Sequence, residues 1–149
     1  MLKSIAVSQY RSLEQRIKTF ERFLGAAEGF FDFIALSAIN NRFLKPKANQ
    51  QIAVAITSDS GLLGGLNMQV VTYALRELEK IPGKLVVIGE RGKVYARESG
   101  MPFVAFGGIK DDERHAQALQ LRDYLLTSFL GGSFGYLKMV YPHPVSFTV

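Results

Sequence analysis

Along the first segment of the chain the apolar or small residues Ala6, Tyr10, Leu13, Ile17, Phe20, Leu24, Ala27, Phe31, Ile34 and Ala38 follow one another at alternating steps of four and three. That spacing holds a narrow seam on one side of a helix that winds around a second helix. A helix lying on its own sheet carries a wider and less regular stripe. The pattern therefore predicts a long N-terminal helix of coiled-coil type, closed by Asn40, Asn41 and Pro46. Gly25 and Gly29 weaken it by roughly 1 kcal/mol each relative to alanine, a cost that packing along so long a seam offsets.

From residue 51 the period changes. Ile52, Val54 and Ile56 alternate with Ala53 and Ala55, which predicts a strand apolar on both faces, as required where helices cover both sides of a sheet. Residues 66–80 return to helical spacing with Leu66, Val70, Val71, Ala74 and Leu78, and Ile81-Pro82-Gly83 closes that helix. The run Leu85-Val86-Val87-Ile88 has the character of a strand at the centre of a parallel sheet. A short helix over 92–98, a strand over 102–106, a helix from the acidic stretch Asp111-Asp112-Glu113 to about Leu130, and a strand over 136–141 complete the alternation. Beyond it, residues 145–149 are expected at a sheet edge, because Pro142 and Pro144 cannot donate to a ladder.

The implied fold is α/β: a Rossmann-like, mostly parallel sheet flanked by helices through right-handed βα connections, with the long coiled-coil-type helix in front. Two domains are expected, the helix at 1–45 and the α/β domain at 46–149. Every helix after residue 64 is needed to cover the sheet. Leu13, Ile17, Phe20, Leu24, Phe31 and Ile34 are accordingly expected to bind a helix from elsewhere.

Composition narrows the function classes. With 149 residues and 48% hydrophobic content the chain can bury a genuine core, and having no cysteine it has neither disulfides nor thiolate metal sites. The most apolar stretch, residues 30–39, is broken by Asp32 and falls short of the ~18 to 20 residues needed to cross a bilayer, so no direct membrane insertion is expected. The net charge of +5 is dispersed, and its densest group, Arg42, Lys45 and Lys47, suits the C-terminal end of the first helix better than a nucleic-acid surface.

The densest chemical signal is the segment 56–67, ITSDSGLLGGLN, a strand end, a glycine-rich loop and a helix start. Its free amides could cradle a phosphate, which makes a small Rossmann-like nucleotide- or phosphate-binding protein using Gly61 to Asn67 the alternative function. The segment nevertheless lacks both the G-x-G-x-x-G fingerprint and the lysine of a P-loop, and Asp59 would repel an anion. A tight turn in which Ser58 or Asp59 caps amides fits these residues better. No G-x-S-x-G elbow surrounds Ser58 or Ser60, and His115 and His143 stand alone in sequence, so neither a triad nor a metal site is expected. The residues point to no catalytic site and no cofactor.

Those same twelve residues resemble the hallmark I-T-S-D-R-G-L-C-G-G-L-N of the gamma-subunit family of F-type rotary ATP synthases. Ser58, Asp59, Gly61, Gly64, Gly65 and Asn67 match it, while Ser60 stands in place of arginine and Leu63 in place of cysteine. Further similarity lies in residues 87–92, VIGERG, against V-I-G-x-K-G, in Tyr141 with Val145-Ser146 against Y-x-x-F-x-S, and in Arg16-Ile17-Lys18 against an opening R-I-K. The resemblance implies a non-catalytic central-stalk subunit that transmits torque between ion flow and ATP synthesis or hydrolysis. It implies as partners the alpha, beta and epsilon subunits and the membrane ring, on the cytoplasmic side of an energy-transducing membrane. The mate it implies for the seam is the family's C-terminal helix, which is not found before Val149.

Overall fold

In a computed structural model of the chain, residues 2–31, 41, 43–60 and 65–143 are described. Ile34, Gly61, Gly64 and the segment 145–149 fall outside them. The chain divides into two compact units, Met1–Leu44 with His143–Val149, and Lys45–Pro142.

The first unit is dominated by helix α1, Leu2–Phe31, 30 residues and thus about 45 Å long at roughly 1.5 Å per residue. Its seam is open: Leu13 is 55% exposed, Ile17 45%, Phe20 60% and Leu24 41%. Phe23 flanks the seam and stacks on Phe20 with ring centroids 6.4 Å apart. Glu14 and Lys18 pair at 3.0 Å one turn apart, an exposed contact that adds little to helix stability.

The second unit is a four-stranded parallel sheet in the order β3-β2-β1-β4. Its strands are β1 (Gln51–Ile56), β2 (Gly83–Ile88), β3 (Phe103–Phe106) and β4 (Tyr136–Val140), and its helices are α2 (Leu66–Lys80), α3 (Glu90–Glu98) and α4 (Arg114–Leu130). The chain steps outward from β1 to β3 and then returns through α4 to place β4 on the other side of β1. Strand β1 thereby pairs along both edges and is buried on both faces, which explains its lack of any charged side chain.

Alternation sorts the strand residues into two cores. Ala53, Ala55, Leu85 and Val87 face Val70, Val71, Ala74 and Leu78 of α2 and Ala96 of α3. Ile52, Val54, Val86 and Ile88 face the opposite way, toward Leu121, Tyr124, Leu125 and Phe129 of α4 and the buried Phe134. Small residues on one face admit two close helices, and the larger branched ones on the other meet a single helix through its long side chains. The described residues of both cores all belong to this unit.

Gln51 is the one fully buried polar residue of β1, and its Nε2 donates to the carbonyls of Glu77 and Ile81, the latter at 2.7 Å, so that it closes the C-terminal end of α2. The Glu77 side chain, largely shielded, pairs with Lys80 and reaches Lys138 of β4 at 3.7 Å. The Lys80 hydrogen bond, with the charges of Lys80 and Lys138, holds the Glu77 carboxyl below its ordinary value against the opposing effect of burial; the same bond and the charge of Glu77 raise Lys80.

Strands β3 and β4 are each one residue shorter than the sequence pattern, and the starts of two helices deviate from it. Helix α3 begins at Glu90 rather than Gly92, because its first amide finds an acceptor outside the local sequence. The acids Asp111, Asp112 and Glu113 precede α4 instead of filling its first turn. Asp111 and Glu113 pair with Arg114 and Lys110.

Replacing Gln51 with leucine is expected to lower the unfolding free energy by about 1–3 kcal/mol, the cost of a buried acceptor left without its donor, measured by urea denaturation. Because the folded Glu77 pKa is depressed, its contribution is present above the unfolded value and lost as pH falls through the folded one. Glu77→Gln should therefore be less stable than the parent at pH 7, and the gap should narrow as urea midpoints are followed into that acid range.

Candidate functional site: the loop after the first strand

Thr57, just past β1, is buried, and its hydroxyl donates to the Ile88 carbonyl at 2.6 Å while accepting the Gly92 amide at 3.0 Å. One side chain thus ties the end of β1 to the end of β2 and the first turn of α3. Gly89 adopts φ +100°, where an L side chain is strained, and a Cβ there would collide with the Thr57 carbonyl. The VIG-x-x-G stretch lets the backbone pack directly on Thr57.

The next two residues continue the junction. Ser58 donates its amide to Asn67 Oδ1 at 3.1 Å, and Asn67 Nδ2 returns a hydrogen bond to Ser58 Oγ at 2.9 Å. Asn67 lies in the first turn of α2 and is buried, so this reciprocal pair sets the two ends of the glycine-rich loop against each other. Asp59 is exposed, and its Oδ1 accepts the Glu90 amide at 2.9 Å at the start of α3. A carboxylate there satisfies an orphan donor and complements the positive end of the helix dipole. The same carboxylate lies against the buried Gly108, in the connection from β3 to α4, and occupies the space a Cβ there would need.

The structure therefore brings Ser58, Asp59 and Asn67 together, with Gly65 at the N-cap of α2 and Ser60 exposed beside them. Leu13, Ile17, Phe20 and Leu24 lie on α1, as does the backbone of Phe31. Thr57, Gly89 and Gly92 are the residues whose roles sequence spacing missed; the only signal was their place inside the two short motifs.

The chemistry of this arrangement is that of a brace. The amide at the start of α3 that could receive an anion is taken by Asp59, and the polar groups of Ser58 and Asn67 are spent on each other. Ser58 Oγ faces an amide rather than a base, which gives it no activation as a nucleophile. Among the described residues no group of three His, Cys, Asp or Glu side chains could hold a metal ion. A phosphate loop at these positions is not favoured.

A family model described as ATP synthase matches residues 1–149. The chain belongs to the ATP synthase family. It is 27% identical to the ATP synthase gamma chain of Clostridium beijerinckii, an alignment covering 95% of this chain and 53% of that one. The gamma chain of Clostridium kluyveri is 31% identical over 62% of this chain and 34% of its own length. That of Synechococcus sp. is 24% identical over 95% and 47%. The chain spans about half the length, or less, of these ATP synthase relatives.

If the junction is a brace, its parts have measurable worth. Asp59→Ala should cost about 0.5–2 kcal/mol, as loss of a helix cap does, and Asp59→Asn should restore most of it. Thr57→Val, nearly equal in shape, should cost about 1–3 kcal/mol by stranding the Gly92 amide. Urea denaturation of the three variants checks both values.

Proposed function

We propose that this chain serves as the gamma-type, central-stalk part of a rotary ATP synthase, with no catalytic site of its own. The observation that carries the proposal is the family match across residues 1–149, to which the relatives' shared name, ATP synthase gamma chain, adds the identity of the subunit. Among the described residues no helix is long and apolar enough to cross a membrane, which fits a peripheral member of a membrane-associated complex. We place it on the cytoplasmic side.

In this reading residues 1–45 form a coiled-coil arm and residues 46–149 a foot. The arm's seam, Leu13, Ile17, Phe20, Leu24, Phe31 and Ile34, packs against the second long helix of the stalk. The assembled coil turns inside the ring of alpha and beta subunits, whose beta subunits hold the reacting nucleotide. Burying the four open seam side chains on a partner helix would remove apolar surface from water at about 25 cal/mol per Å², which is the driving force for pairing. The foot contacts the epsilon subunit and the membrane ring. The family-motif residues Ser58, Asp59, Ser60, Gly61, Gly64, Gly65 and Asn67 belong to the foot in this reading, and the side-chain ties that Thr57, Ser58, Asp59 and Asn67 make between strand ends and helix starts suit a body that bears torque.

The test is co-purification with alpha, beta and epsilon subunits. The parent chain should be retained, and Ile17→Asp with Phe20→Asp should lower retention at least about tenfold, since a carboxylate cannot be buried in an apolar seam without large cost. The urea midpoint of the α/β unit should stay unchanged. A parent chain with no affinity for any of these subunits would overturn the reading, as would a double variant retained as well as the parent.

A further inference from the structure

On the α4 face of the sheet, beyond the carboxyl ends of β1, β2 and β3, lies an open cleft of about 400 Å³. Its floor is made by Ile56, Ile88 and Phe106, the last apolar residues of three adjacent strands. The cleft exists because α4 changes character along its length. The sheet-facing positions of its second half are Leu121, Tyr124, Leu125 and Phe129, which fill the core. One and two turns earlier the same stripe carries Arg114, Gln117 and Ala118, which are too short or too polar to cover the strand ends.

The walls divide by chemistry. Ile109, largely exposed, Ala118 and Leu121 continue the apolar floor, and Arg114, His115 and Gln120 edge the cleft. Gln117 is committed, its Nε2 donating to the Gly108 carbonyl at 2.7 Å and its Oε1 accepting the Lys110 amide at 3.0 Å. Among the described residues of the lining Arg114 is the only Lys, Arg, Asp or Glu. It makes one long contact of 3.7 Å with the exposed Asp111, which leaves most of the five guanidinium donors for another acceptor. A volume in the range of small-molecule sites, an apolar floor and one cation at the rim define the complement of an amphipathic anion.

We propose that this cleft binds one medium-chain carboxylate, its hydrocarbon body on Ile56, Ile88 and Phe106 and its head group at Arg114. The cleft shares no residue with the exposed seam of α1, and the proposal does not depend on the rotary role. Occupancy would tie the first half of α4 to the strand ends and stiffen the part of the fold that carries Gly108 and, through it, the Asp59 brace.

Titration of the full chain with decanoate, followed by the methyl resonances of its isoleucines, tests the proposal. The expected result is saturable one-to-one binding with shifts centred on Ile56, Ile88 and Ile109. Ala118→Phe should fill the cleft and weaken binding at least tenfold. Arg114→Gln should weaken decanoate about three- to tenfold while leaving the neutral probe 1-decanol unchanged, and this second variant decides the matter if the first fails to fold. Absence of saturable binding would overturn the proposal. So would binding that a folded Ala118→Phe leaves intact, or a decanoate affinity indifferent to Arg114.

Discussion

Everything in the α/β unit follows from the double burial of β1. A strand paired on both edges and covered on both faces can carry only apolar side chains or polar ones with complete partners; Gln51 in the strand and Thr57 just past its end meet the second condition. To cover both faces the unit uses α2 and α3 on one side and α4 on the other. The described residues of both cores belong to that unit, and on α1 the seam side chains Leu13, Ile17, Phe20 and Leu24 stand exposed.

The same constraint explains where the braced loop sits. Parallel strands end together, so the residues that follow β1 and β2 emerge side by side, and short polar side chains there can hold one connection to another. Thr57, Asp59 and Asn67 do this with hydrogen bonds of 2.6 to 3.1 Å to groups on β2, α3 and the loop itself. Stiffness at this end is compatible with a body that passes on force.

Much of this could be read from the residues alone. The bounds of α2 were given by its helical spacing and by Ile81-Pro82-Gly83, and the buried character of β1 and β2 by their unbroken apolar runs, because these signals are local and strong. The start of α3 was not legible, since the acceptor of its first amide, Asp59, lies 31 residues earlier in the chain. Nor could the pattern show that Thr57 rather than a serine makes the central cross-link, or that Glu77 meets Lys138 across from α2 to β4. Side-chain hydrogen bonds between distant segments leave no period. The resemblance carried by residues 56–67 reached the family where spacing alone gave only a fold class.

Whether a partner covers the exposed seam of α1 is read directly by amide hydrogen exchange. In the isolated chain the amides from Leu13 to Leu24 should exchange far faster than those of β1 and β2. On assembly with alpha and beta subunits and a second stalk helix they should slow by at least about a hundredfold, as pairing removes local opening. Core-like protection of the same amides in the isolated monomer, unchanged on assembly, would contradict the pairing.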